Sequence, residues 1–194
     1  MTHFSVLVDG YAYYKGNILH VSPSTVLLEE NGMFVLVDPG SNEEILRNQL
    51  FKEGLTADAV GRIFLTHYHL DHLLNIRLFP HADVLDGNMI YTGDAMNPYT
   101  GYIPGTTIQV ISTPGHAPEH ASLVFRNELG VIAVAGDVIW WENGAKQDTS
   151  RLAILSKKDP YATDITALQK SREALLSIAD YIIPGHGSMF KVQK

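Results

Sequence analysis

The sequence predicts an α/β fold in which two packed β-sheets carry helices on their outer faces. Three observations lead there. Two β-rich runs, residues 25–29 and 33–38, flank Asn31-Gly32, a strong hairpin signal because both turn residues tolerate positive φ. A second such pair of runs, 121–125 and 131–135, flanks the turn Asn127–Gly130. Two further stretches, after Ser41 and after Asp159, combine helix-start signals with apolar residues at helical spacing.

The elements follow in order. Residues 4–8 read as a first strand, closed by the turn signal Asp9-Gly10. Tyr11, Tyr13 and Tyr14 suggest a half-buried strand or loop rim, with a structural role favoured over substrate contact, and 17–21 is a weak strand. Asp38-Pro39-Gly40 stops the strand that follows Asn31-Gly32, and Asp38 reads as a turn carboxylate or one that supports a neighbouring ligand. Ser41 with Glu44 forms a capping box, so Ser41 is the expected N-cap of a helix that carries Ile45, Leu46 and Leu50 and ends near Gly54. Residues 63–66 form a buried strand, and Leu73 to Ile76 start a short helix. Strands are expected at 82–86 and 108–112. The glycine- and proline-rich stretch 93–105 between them is expected to be a loop at a site rim, and His81 is expected at the surface. Residues 142–160 are polar and poorly periodic. Asp159-Pro160 suits the N-cap and N1 positions of a helix that presents Ile165, Leu168, Leu175, Leu176 and Ala179 on one face. Asp180 to Ile183 make a last short strand.

Composition narrows the class. The 194 residues are 45% hydrophobic and 18% charged, which suits a globular chain with a real core. Only eight residues follow His186, so 1–194 is read as a single domain. No apolar run approaches the ~20 residues that cross a bilayer, and no secretory leader is visible at the start, so a cytoplasmic location is expected and no membrane partner. Cysteine is absent, so any metal must be held by His and carboxylates. The net charge of −7 and the lack of a Lys/Arg run disfavour a long nucleic-acid track without excluding a nucleotide or short RNA.

Chemistry concentrates at residues 67–72, HYHLDH, where His67, His69, Asp71 and His72 fall directly after a buried strand. The same grammar recurs three times: a strand ends, a loop begins, and a ligand type sits beside glycine. These are Gly115-His116, Gly136-Asp137 and Gly185-His186-Gly187. Glycine there allows the close backbone approach that a crowded cation site needs. The set His67, His69, Asp71, His72, His116, Asp137 and His186 exceeds one four-coordinate zinc and suits two divalent metals. Nitrogen and carboxylate donors favour zinc, with iron or manganese as the other candidates. His120 reads equally as a rim, ligand-supporting or surface residue. Trp140 and Trp141 could line an apolar pocket, pack in the core, or bury against a second copy in a homodimer.

HYHLDH, TPGH, GD and PGHG in this order closely resemble the metallo-β-lactamase fold superfamily, over nearly the whole chain. Ser171-Arg172, Leu175-Leu176, Ala179-Asp180 and the closing 184–192 resemble the short metallo-β-lactamase domain-containing protein 1 group within it. The resemblance implies a four-layer αββα sandwich. It also implies His67, His69 and His116 on the first metal, Asp71, His72 and His186 on the second, and Asp137 bridging. The expected function is a dinuclear hydrolase in which a metal-bridging hydroxide attacks a small ester, thioester, lactone or amide, with Asp71 as the catalytic carboxylate that orients the nucleophile. A phosphodiesterase or nuclease is the second reading. A single-iron sulfur dioxygenase needs fewer ligands than the chain offers, and a non-catalytic scaffold would not need the full set.

Overall fold

The computed structural model describes residues 1–193. The chain runs β1 (His3–Val8), β2 (Tyr11–Lys15), β3 (Ile18–Ser22), β4 (Thr25–Glu30), β5 (Met33–Val37), α1 (Glu43–Lys52), β6 (Arg62–Phe64) and α2 (Leu70–Leu73). It continues with β7 (Asp83–Leu85), β8 (Met89–Thr92), β9 (Ala95–Pro98), β10 (Gln109–Ser112), β11 (Ala121–Asn127) and β12 (Gly130–Gly136), and closes with α3 (Arg151–Ser156), α4 (Ile165–Ile178), β13 (Tyr181–Pro184) and β14 (Phe190–Lys191).

One sheet has the order β1-β4-β5-β6-β7-β8-β9 and the other β10-β11-β12-β13-β14, while β2 and β3 form a ribbon of their own. Strand alternation sorts the side chains into layers. Val26, Leu28, Val35, Val37 and Phe64 of the first sheet meet Val110, Leu123, Phe125, Ile132 and Val134 of the second in a shared core. The intervening Leu27, Leu36 and Ile63 point the other way, onto Leu46 and Leu50 of α1. On the far side, Val124, Ala133 and Ile182 pack against Ile154 of α3 and Leu168, Leu175 and Leu176 of α4. The result is the helix–sheet–sheet–helix sandwich that the sequence predicts. Asn31 and Gly32 adopt φ of 55° and 76°, as the hairpin between β4 and β5 requires. No helix is long and apolar enough to cross a membrane among the described residues.

Four local expectations need correction. The N-cap of α1 is Asn42, whose Oδ1 accepts from the Ile45 amide at 3.1 Å. The Ser41 hydroxyl instead donates to the Val21 carbonyl at 2.6 Å. Helix α4 starts at Ile165 and is capped by Asp164, not Asp159. The polar stretch before it holds a short helix, α3, capped by Ser150. Part of 93–105 is the edge strand β9, and Tyr99 and Ile103 turn into the inter-sheet core, so this segment is no site rim.

The parallel pairs β5–β6 and β12–β13 place strand ends side by side. Asp38 and Thr66 follow one pair, and Asp137 and His186 follow the other. The Ala121 amide, bonded to the Thr66 carbonyl at 2.9 Å, ties the two sheets together at that end. Carboxyl ends of parallel strands are where open α/β sheets present ligand-binding groups.

Candidate metal centre

All seven predicted ligands converge at this end of the sandwich. Ligand-type atoms of His67, His69, His116 and Asp137 lie within 4.8 Å of one another, and so do those of Asp71, His72 and His186. Asp137 faces both groups. Its Oδ2 stands 3.4 Å from His116 Nε2 and 3.8 Å from His67 Nε2. Its Oδ1 stands 3.5 Å from both His72 Nε2 and His186 Nε2. Asp71 Oδ2 is 3.5 Å from His186 Nε2 and 3.7 Å from His72 Nε2.

Each inner imidazole is held from behind at Nδ1, which leaves Nε2 pointing inward. Asp38 Oδ2 accepts from His72 Nδ1 at 2.8 Å and from the Thr66 hydroxyl at 2.7 Å. With its proton given to Asp38, the Thr66 hydroxyl accepts from His67 Nδ1 at 3.0 Å. One carboxylate thus steadies a histidine of each group. Asp38 can sit so close because it adopts φ of 48°, a left-handed conformation that Asp tolerates better than most residues. Carbonyls of Tyr11 and Ser22 accept from His186 Nδ1 at 3.2 and 3.1 Å. Asp159, whose side chain is fully buried, holds His116 Nδ1 at 2.7 Å.

The arrangement fits two cations on its own chemistry. His67 Nε2, His72 Nε2 and Asp137 Oδ1 are buried without a hydrogen-bond partner, which is costly unless something else occupies the space between them. The local field also favours positive charge. Burial pushes His72 down, yet the Asp38 and Asp137 carboxylates outweigh it and hold His72 well above the usual histidine value. His186 is raised in the same way, chiefly by Asp137 against its burial. Burial likewise works against charge on Asp137, but His186 and His72 hold its carboxyl well below the usual range. His67 is kept neutral by burial and by its histidine neighbours, ready to donate a lone pair.

Glycine makes room for the crowding. A Cβ on Gly185 would stand 1.9 Å from Asp137 Oδ1, so only glycine fits there without moving the shared carboxylate. The other candidates separate cleanly. His120 is buried rather than superficial: it stacks on His67 at 5.0 Å, bonds Thr113 Oγ1 at 2.9 Å, and burial pushes it down to about 3. Trp140 lines the cavity above the centre, while Trp141 packs on Phe190 at 5.7 Å within its own chain. His81 is exposed. Tyr13 and Tyr14, read as structural, line the cavity. Asp159 went unrecognised as a support for His116. The available signal was Asp164, a second capping residue directly before Ile165, which leaves Asp159 spare.

Comparisons with known proteins agree with this geometry. A family model described as Metallo-beta-lactamase superfamily matches residues 20–85. Metallo-beta-lactamase domain-containing protein 1 of Xenopus laevis is 32% identical over 200 residues, covering 97% of this chain and 81% of that protein. The Mus musculus protein of the same name is 32% identical, covering 81% of this chain, and the match spans only 61% of its length. Among solved structures, a metallo-beta-lactamase-type protein of Thermotoga maritima superposes with a TM-score of 0.71 at 19% identity, covering 98% of this chain and 99% of that one. AidC, a dizinc quorum-quenching lactonase, gives a TM-score of 0.61 at 15% identity, covering 87% and 73%. These structural likenesses speak for the fold.

Proposed function

The chain belongs to the metallo-beta-lactamase superfamily of hydrolases, and from that premise we propose that it hydrolyses a small ester, thioester, lactone or amide with two divalent cations, zinc foremost. The observation that carries this reading is the position of Asp137, one oxygen towards each histidine group. His67, His69 and His116 would hold one cation and Asp71, His72 and His186 the other, with Asp137 shared. Two such ions supply Lewis acidity and bring the pKa of water towards ~7.

The chain's own residues account for the rest. The supports at Nδ1 of His67, His72, His116 and His186 fix which nitrogen faces the centre, so the donor set needs little rearrangement. Asp71 is the more exposed of the two carboxylates on the cavity floor, with its side chain 18% exposed against 8% for Asp137. Its Oδ2 faces His72 and His186, which leaves the other oxygen to orient a water and take its proton. The buried His120 ring behind His67 and the walls of the cavity keep bulk water from the inner nitrogens.

Metal analysis and a substrate panel of thioesters, lactones, β-lactams and bis-phosphodiesters test the reading. Two metal equivalents and turnover of a carboxyl-type substrate are expected. Turnover that survives joint replacement of His67→Ala and Asp137→Ala sinks the proposal.

A further inference from the structure

The cavity above the centre is about 500 Å³, within the range of small-molecule sites. His69, Asp71, Asp137 and His186 form its floor. One wall is the β2–β3 ribbon. Ala12 pairs with Val21 and Tyr14 with Leu19, and all four line the cavity. Tyr13, which also borders the cavity, stacks on its cross-strand neighbour His20 at 5.2 Å. Asn143 anchors the ribbon: its Oδ1 accepts from the Ala12 amide at 2.7 Å and its own amide donates to the Ala12 carbonyl at 2.8 Å. Leu70, Trp140 and Tyr161 complete the apolar lining.

Two features of this cavity select a ligand. Tyr14 is 67% exposed, Leu70 67% and Leu19 41%, so apolar surface is left open around a concave space instead of being packed. Such surface next to a reactive floor calls for an apolar occupant. The charged residues that line the cavity beyond its histidines are Asp71, Asp137 and Glu142, and none of the lining residues is Lys or Arg. Lys157 lies outside the lining, with its amine 5.5 and 5.9 Å from the ring centroids of Trp140 and Trp141, and its charge interacts with Glu142 from there. An anionic group on the outer end of a substrate's arm would meet Glu142 and no Lys or Arg of the lining.

We propose that this cavity selects neutral esters, lactones or thioesters with an apolar acyl arm laid along the Tyr14–Leu19 face, and rejects substrates whose arm carries a carboxylate or phosphate. The proposal rests on the hydrolase reading for its chemistry. The scissile carbonyl sits on the floor, and the arm runs outward between the ribbon and Trp140.

Two measurements on the metal-loaded protein test it. The first is turnover of para-nitrophenyl acetate, hexanoate and octanoate beside the carboxylate-ended suberate monoester. kcat/KM should rise by up to about fourfold for each methylene buried, and by roughly tenfold or more from acetate to octanoate, with suberate well below octanoate. Leu19→Ser and Tyr14→Ser should flatten the series, Glu142→Lys should raise suberate, and Leu152→Ser on the remote face of α3 should do neither. The second is calorimetric binding of butyramide and octanamide, which needs no turnover. Tighter octanamide binding, weakened by Leu19→Ser, supports the pocket assignment even if no ester is cleaved, in which case only the hydrolase reading falls. Equal binding of the two amides, or preference for the suberate ester in the unmodified protein, overturns the proposal while leaving ester hydrolysis standing.

Discussion

Asp159 Oδ2 lies 2.7 Å from His116 Nδ1, with no exposed surface on the carboxylate and 1% on the imidazole. The two are 43 residues apart in sequence. Burial pushes the Asp159 pKa up, but the bond from His116 and its charge outweigh this and hold it below the usual carboxylate value, so the carboxylate stays charged. A charged acceptor at Nδ1 fixes the tautomer of His116 and keeps Nε2, the atom facing Asp137 and His69, turned inward as a lone-pair donor.

Replacing Asp159 should therefore weaken metal binding without touching a ligand. Asp159→Ala is expected to lower affinity at the His67, His69 and His116 group by about 10–100-fold. Asp159→Asn keeps the shape and should lose less. Competition against a coloured chelator reads the affinity directly, and unchanged affinity in both variants would remove Asp159 from the centre's support.

Asp38 serves the other group and part of the first. Asp38→Ala strands His72 Nδ1, the Thr66 hydroxyl and the Thr66 amide, which donates to Oδ1 at 2.9 Å. Removing one partner of a buried ionic network costs about 3–5 kcal/mol, and alanine is also strained at φ of 48°. Asp38→Asn tolerates that φ and keeps one acceptor, so it should be the milder change. Urea melts of the metal-free protein separate the two, and near-equal stabilities would contradict the network.

The contrast between these two carboxylates and HYHLDH shows what a linear reading reaches. His67, His69, Asp71 and His72 are legible because four ligand types crowd six positions after one strand. His116, Asp137 and His186 are legible because each ends a β-rich run beside glycine. The supports have no such local mark. Asp38 meets His72 because β5 and β6 are parallel neighbours, and Asp159 meets His116 because the chain doubles back before α4. Asp-Pro is also a common helix opening, so the local signal at Asp159 pointed to the wrong role. The cavity wall was misplaced for a related reason. Glycine and proline in 93–105 signal turns but not where those turns lie, and the ribbon at Tyr11 to Ser22 reaches the site through partners far away in sequence, Asn143 and His186 among them.

Gly185 is a steric test of the shared carboxylate. Its missing Cβ would lie 1.9 Å from Asp137 Oδ1, too close for any side chain. Gly185→Ala should push Asp137 away from His72 and His186 and lower metal content at both groups together. Gly144→Ala in the same region is the control for a glycine of positive φ with open space around it, and it should cost stability alone. Full metal content in Gly185→Ala would mean that Asp137 does not need its observed place.

Stability in acid should depend on a carboxylate far from the centre. Glu30, at the end of β4, is 3% exposed and accepts from Thr2 Oγ1 at 2.7 Å, the Thr107 amide at 3.0 Å and Thr107 Oγ1 at 3.1 Å. Burial raises its pKa, but these donors to the charged form win, and the net shift is below the ordinary 4.5. A carboxyl whose folded value lies below its unfolded value stabilises the fold fully above the unfolded value. That contribution fades as pH drops from there through the folded value, because the unfolded chain takes up the proton first. Glu30→Gln should thus cost stability at neutral pH and flatten the loss of stability below about pH 4.5. The Thr107 and Thr2 contacts tie β4 to the connection before β10 and to the start of β1, so the loss belongs to the sandwich and not to the metal groups. Melting temperatures measured from pH 7 downwards in the presence of chelator isolate it, and parallel curves for the two proteins would show that Glu30 titrates no differently in the folded and unfolded chains.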